Sequence, residues 1–126
     1  DNVGYVFEKI ASGRRISYAP GLAEIDPTVW EAMRAADAVL VDGTFWVDDE
    51  MIRLGISSKR GSEIGHLPQF GENGMLAWLS RLPASTRKLL IHINNTNPIL
   101  DENSPERAAC TAAGVEVCFD GLEIAL

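Results

Sequence analysis

Two short runs constrain this chain more than anything else in it. Ala38-Val-Leu-Val41 and Lys88-Leu-Leu-Ile-His-Ile93 are apolar at nearly every consecutive position. A strand that buries one face alternates apolar with polar residues. A continuous run fits a strand covered on both faces, as parallel strands under helices are. Helical spacing surrounds both runs. Asp26-Pro27 is a helix start, with Asp as N-cap and Pro at the first helical position. Val29, Trp30, Met33 and Ala36 then fall on its buried side. Met75, Leu76, Leu79 and Leu82 predict a second helix running to Pro83. Ser104-Pro105 opens a last helix, and Gly114 ends it as a left-handed residue beyond a C-terminus should. Val115 to Phe119 reads as the closing strand, and Leu122 to Leu126 offers an edge. Upstream, Val3 to Ile10 and Ile16 to Ala19 flank a turn at Ala11-Ser-Gly-Arg14, the pattern of a β-hairpin. The order β-β-α-β-α-α-β-α-β makes an α/β layer, helices packed on a sheet.

The 126 residues suit one domain. Eighteen acids against 11 bases leave a net charge of −7, and Arg14-Arg15 and Lys59-Arg60 are isolated basic pairs. A nucleic-acid surface needs clustered Lys and Arg, so that class of partner is disfavoured. No run approaches the ~18 apolar residues of a membrane helix. Cys110 and Cys118 read as free, inward-facing thiols, which fits a reducing, cytoplasmic setting. The chain opens at Asp1-Asn2-Val3 without Met and without a signal peptide. The expectation is a single incomplete domain, residues 1–126, from a longer protein.

Both apolar runs lead to an ionisable group near the carboxyl end of a strand, where α/β folds gather their ligands. Asp42 is either a turn-former beside Gly43 or a site acid. His92 is either a satisfied core histidine or a ligand. His66, in Gly65-His-Leu-Pro68, lies in the long irregular stretch between them, from Gly55 to Gly74. Long loops in compact domains are often functional. His and Asp together suit zinc or iron. Asn94, Asn95 and Asn97 are explained by Asx turns, with contact to a polar substrate as the alternative. Asp48, Asp49 and Glu50 read as acids at the start of a short helix. Trp30 and Trp78 read as packing, and Trp46, close behind Asp42, as packing or a pocket wall.

The strings Asp42-Gly-Thr-Phe-Trp46, Asp48-Asp-Glu-Met51, Gly65-His-Leu-Pro68 and His92-Ile-Asn-Asn-Thr-Asn-Pro-Ile-Leu-Asp101 closely resemble the pyrroloquinoline quinone (PQQ) biosynthesis B family. That family is a branch of the metallo-β-lactamase superfamily, and the resemblance covers essentially the whole chain. It implies the carboxyl-terminal half of an αβ/βα sandwich. The amino-terminal half of the same protein would then be the chain's partner and would complete a site for Fe(2+) or Zn(2+). By the same resemblance His92 corresponds to the last metal-ligand histidine of the superfamily. Asp42 corresponds to an acid that closes a strand and pairs with a loop histidine, here His66. The phosphodiesterase branch also carries a metal-bridging Asp after the hairpin. Here that place reads Tyr18-Ala-Pro-Gly-Leu22, with no acid, which leaves room for one metal or none.

The function implied is a step of PQQ biosynthesis. The first reading is iron-dependent oxygenation of a tyrosine in a precursor-derived peptide. His92 would hold the metal, Asp42 and His66 would serve as catalytic groups, and Asn94, Asn95, Asn97 and Trp46 would contact substrate. The alternatives are a carrier of PQQ or its precursor, and a zinc-dependent hydrolase.

Overall fold

The computed structural model describes residues 2–126. A hairpin comes first, β1 (Tyr5–Glu8) and β2 (Arg15–Ala19), paired antiparallel with Tyr5 opposite Tyr18. Gly13 takes φ +71° in its turn, a conformation that L side chains rarely adopt. Helix α1 (Pro27–Arg34) follows, capped by the Asp26 side chain, which accepts from the Val29 N–H at 2.9 Å. Then come β3 (Ala38–Asp42), α2 (Glu50–Arg53), α3 (Met75–Leu79), β4 (Arg87–Ile91), α4 (Pro105–Ala112) and β5 (Val115–Val117). Short 3₁₀ turns cover Ser62–Ile64 and Pro98–Leu100.

The five strands form one sheet in sequence order, parallel from β2 to β5. That order decides where the helices go. Parallel crossovers are right-handed as a rule, so stepping always in one direction puts every crossover on the same face. The core lies on that face. Val39, Val41, Leu90 and Val117 meet Met33, Met75, Leu79, Ile99 and Cys110 in one buried cluster. On the other face Ala38 and Leu89 are buried, while Ile16, Tyr18, Leu40 and Ile91 are only partly covered. The continuous apolar runs thus reflect a sheet with both sides apolar, one of them incompletely covered by this chain.

Several boundaries differ from the sequence reading. The helix expected to reach Pro83 ends at Leu79. Arg81 and Leu82 instead donate to Trp78 and Leu79, three residues back, because the residue before a proline avoids the α region. The strand expected to contain His92 ends at Ile91. Residues Leu122 to Leu126 form no strand. That tail is tied instead by Lys9 Nζ donating to the Leu126 carbonyl at 2.9 Å and by Arg87 to the Glu123 carbonyl at 3.5 Å. Arg87 also grips Glu116 through two nitrogens, at 2.7 and 2.9 Å, and this holds the Glu116 carboxyl below its ordinary range. Both cysteines are free. Cys110 is fully buried, which pushes its thiol up, whereas Cys118, one residue past β5, is only partly buried. Among the described residues no helix is long and apolar enough to cross a membrane.

Candidate metal centre

The carboxyl ends of β3 and β4 are drawn together just beyond the sheet. The Gly43 N–H donates to the Ile91 carbonyl at 2.7 Å. A Cβ at Gly43 would lie 2.8 Å from that oxygen and 2.9 Å from Leu90 Cβ. Only glycine lets the two backbones approach this closely, and the approach places Asp42 beside the residues that follow β4.

Asp42 is completely buried. Its Oδ1 accepts from the Thr44 N–H at 3.0 Å and faces the Thr44 hydroxyl at 2.5 Å. Its Oδ2 accepts from the Leu22 N–H at 2.9 Å and lies 2.7 Å from His66 Nδ1. Four partners fill the acceptor sites of a carboxylate. Asp42 is therefore spent on orienting its neighbours and has no lone pair left for an ion. Its neighbour Leu22 ends the acid-free string Tyr18-Ala-Pro-Gly-Leu22. What that string offers Asp42 is the Leu22 backbone N–H.

His66 reaches Asp42 from the loop between β3 and β4, which a left-handed Gly65 (φ +89°) turns back toward the sheet. Phe45 packs edge-on against its ring, centroids 5.9 Å apart. His92 arrives from the other side. At φ +55° it is the one non-glycine residue with positive φ among the described residues. Such strain at a bulky residue costs roughly 1–3 kcal/mol and concentrates at functional sites. The turn carries the His92 ring off the strand and stacks it on His66, centroids 5.3 Å apart and planes 21° apart. His92 Nδ1 then lies 2.9 Å from the Thr44 hydroxyl. One ligand atom from each of Asp42, His66 and His92 lies within 4.8 Å of the other two.

The donor set fits part of a zinc or iron site. Imidazole nitrogen suits both metals, and zinc ordinarily takes four ligands. With Asp42 saturated, this chain offers two imidazoles, and neither ring uses its Nε2 in the hydrogen bonds that hold it. His92 is exposed and borders an open cavity of about 380 Å³ with Ile93, Leu100, Cys118 and Phe119, so its ring is accessible.

The remaining sequence candidates do not join this cluster. Asn97 is buried, and its side chain is consumed internally. Its Nδ2 donates to the Gly43 carbonyl at 2.9 Å and to Gln69 Oε1 at 2.7 Å, and its Oδ1 accepts from Ile99 N–H at 3.1 Å. It staples the loops behind the site and is not placed to meet a substrate. Asn94 donates to the Thr96 hydroxyl at 2.7 Å. Asn95 is exposed. Trp46 stacks obliquely on Phe70 and helps line a different open cavity, of about 450 Å³, which no residue of the histidine cluster borders. The acids read as a helix start divide their work. Asp48 binds the Ser62 N–H at 2.8 Å, and Asp49 pairs with Arg53. Glu50 is buried, accepting from the Trp46 N–H at 3.0 Å and from the Thr96 hydroxyl at 2.5 Å.

Thr44, Glu50 and Gln69 were not legible as contributors to this region. For Thr44 a signal exists: Asp-Gly-Thr is the string of an Asx turn, in which the acid bonds a backbone N–H two residues on. One consequence is testable at Asn97. Asn97→Ala should lower stability by about 1–3 kcal/mol, the cost of leaving buried partners unsatisfied. Urea denaturation measures that loss, and metal content per folded molecule should stay as in the wild type.

The comparisons with known proteins agree with this fold. A family model described as a beta-lactamase superfamily domain matches residues 1–93. Over all 126 residues the chain is 66% identical to Coenzyme PQQ synthesis protein B of Azoarcus sp. (strain BH72). It is 59% identical to the protein of that name from Methylococcus capsulatus. It covers 41% of each of those relatives. The crystal structure of Zn(2+)-bound PqqB from Methylobacterium extorquens superposes with a TM-score of 0.90 at 41% identity, over 98% of this chain and 43% of that one. The chain thus spans less than half the length of the relatives it matches, and the resemblance to PQQ synthesis protein B runs through all of it. With that family model matching residues 1–93, and with a metallo-β-lactamase-like fold, the chain belongs to the beta-lactamase superfamily.

Proposed function

We propose that this chain forms one layer of a metal-dependent enzyme of PQQ biosynthesis, which oxygenates a tyrosine in a precursor-derived peptide. The observation that carries the reading is the meeting of His66 and His92 over a saturated Asp42. The similarity to PQQ synthesis protein B along the whole chain supports the pathway. In this reading the partner is a further segment of the same protein, which supplies the remaining ligands and covers the open face of the sheet. His92 holds the metal through Nε2. Asp42 fixes His66 so that its Nε2 can take up or release a proton beside the substrate. Of the asparagines and Trp46, the exposed Asn95 is left as a substrate contact near the rim; Asn94 is tied to Thr96 and Trp46 faces the separate cavity. Bound iron(II) would supply O₂ activation, and bound zinc would supply a Lewis acid.

Oxygenation inserts one atom of O₂ into a ring C–H bond. The other atom leaves as water, taking two electrons and two protons from a reductant. The test uses the full-length protein that carries these residues, loaded with iron. It is given a tyrosine-containing peptide, ascorbate and ¹⁸O₂, and the peptide is weighed by mass spectrometry. One labelled oxygen per tyrosine is the expected result. A peptide that binds but returns unchanged supports the carrier role instead, and a peptide cleaved in the zinc-loaded protein supports a hydrolase.

A further inference from the structure

The Thr44 hydroxyl touches more of this site than any other single atom. It lies 2.5 Å from Asp42 Oδ1, 2.9 Å from His92 Nδ1, 3.1 Å from His66 Nδ1 and 3.0 Å from the His92 carbonyl oxygen. It has one proton to give and two lone pairs to offer. Thr44 is buried, so water does not compete for either.

We propose that Thr44 is the positioning residue that sets the tautomer of His92. The inference rests on the metal-site reading above and deepens it. The Asp42 carboxylate accepts two backbone N–H bonds, from Leu22 and Thr44, and a carboxylate can only accept. The shortest contact of the Thr44 hydroxyl is to that carboxylate, at a length typical of O–H donation to an ionised oxygen. The hydroxyl proton therefore goes to Asp42 Oδ1, and the neutral His92 carbonyl takes at most a minor share of it. The hydroxyl oxygen is then left facing His92 Nδ1 with lone pairs alone. Two acceptors cannot bond each other, so Nδ1 of His92 must carry the hydrogen, and in the neutral ring Nε2 then carries the lone pair.

The two histidines are thus fixed by different routes from one carboxylate. His66 donates directly to Oδ2. His92 donates to the Thr44 hydroxyl, which donates to Oδ1. The left-handed turn at His92 makes this possible, because it brings the ring back over Thr44. Partners of this kind commonly change metal affinity by about 10–100-fold. The difference between the routes makes a selective prediction. Removing the hydroxyl should free His92 and leave His66 held.

The experiment compares wild type, Thr44→Ser and Thr44→Val in the full-length protein. Two-dimensional ¹⁵N NMR of the metal-free imidazoles reads the tautomer, and competition with a chelating dye reads Zn(2+) affinity. Wild type and Thr44→Ser should show His92 protonated at Nδ1. Thr44→Val, close in shape but without the hydroxyl, should show His92 as a mixture or as the Nε2–H form, with His66 unchanged. Its Zn(2+) affinity should fall about 10–100-fold. The unchanged His66 signal also reports that the variant has kept its fold. A wild-type His92 protonated at Nε2 overturns the proposal without recourse to any variant, and so does a Thr44→Val protein with wild-type tautomer and affinity. If none of the three proteins binds Zn(2+), the metal reading fails, and the tautomer comparison still decides the role of Thr44.

Discussion

His92→Ala in the full-length protein should lose its site metal, with affinity down by more than the ~100-fold that loss of a supporting partner can cost. The geometry gives the reason. Asp42 has no free lone pair, so the two imidazoles are the donors this chain presents, and His92 is the exposed one. Alanine at φ +55° would also be strained, because a Cβ disfavours the left-handed region. His92→Gly separates the two effects. Glycine removes the ligand and relaxes the turn, so this variant should melt no lower than His92→Ala while binding metal no better. Metal content after dialysis, by atomic emission, and thermal melts of both variants check the pair of expectations. Near-stoichiometric metal in either variant would remove His92 from the site.

Asp42→Asn is the second large effect, and it should act on activity more than on metal. The amide keeps the volume of the carboxylate but turns one acceptor oxygen into a donor. That NH₂ group must face either the Leu22 N–H and His66 Nδ1, or the Thr44 N–H and hydroxyl. In either orientation a donor meets a buried backbone donor, at roughly 1–3 kcal/mol for the group left unsatisfied. The amide that spares Thr44 forces His66 to turn its lone pair inward at Nδ1. A His66 of that tautomer presents N–H at Nε2 and cannot take up a proton there. The expected outcome is a lower melting temperature, metal retained within about 10-fold, and turnover reduced by about 100-fold or more, in the range general acid–base groups contribute. Turnover close to wild type would mean that His66 needs no orienting carboxylate.

Parts of this arrangement are visible in the sequence, and the parts that are not have a common cause. Ala38 to Asp42 announces a buried strand and its terminal acid, because a continuous apolar run has few other uses. Asp26, Ser104 and Gly114 mark helix ends through backbone groups only a few residues away, and each does so in the structure. The resemblance of the His92 to Asp101 string names the superfamily. What local pattern cannot show is hydrogen bonding between distant loops. Asn97 read as an Asx turn, with substrate contact as the alternative; the turn is there, Oδ1 accepting from the Ile99 N–H, but the loop gives no sign of where Nδ2 goes. Its partners, Gly43 and Gln69, lie 54 and 28 residues away. Glu50 looked like a helix-start acid because it opens α2, yet its carboxylate reaches Thr96, 46 residues on. His92 looked like a strand residue because Ile93 continues the apolar run. The left-handed turn that ends β4 one residue earlier carries no glycine to announce it. The expected edge at Leu122 to Leu126 rested on its apolar residues, but the tail pairs with no strand and is held through its carbonyls by Lys9 and Arg87.

The central claim is that Asp42 organises the site and His92 binds the ion, and anomalous diffraction from a zinc-loaded crystal of the full-length protein tests it most directly. One anomalous peak is expected about 2.0–2.1 Å from His92 Nε2, the usual Zn–N length. Both Asp42 oxygens should lie outside coordination distance, still bonded to Leu22, Thr44 and His66. A peak ligated by Asp42, or one with no bond to His92, would contradict it.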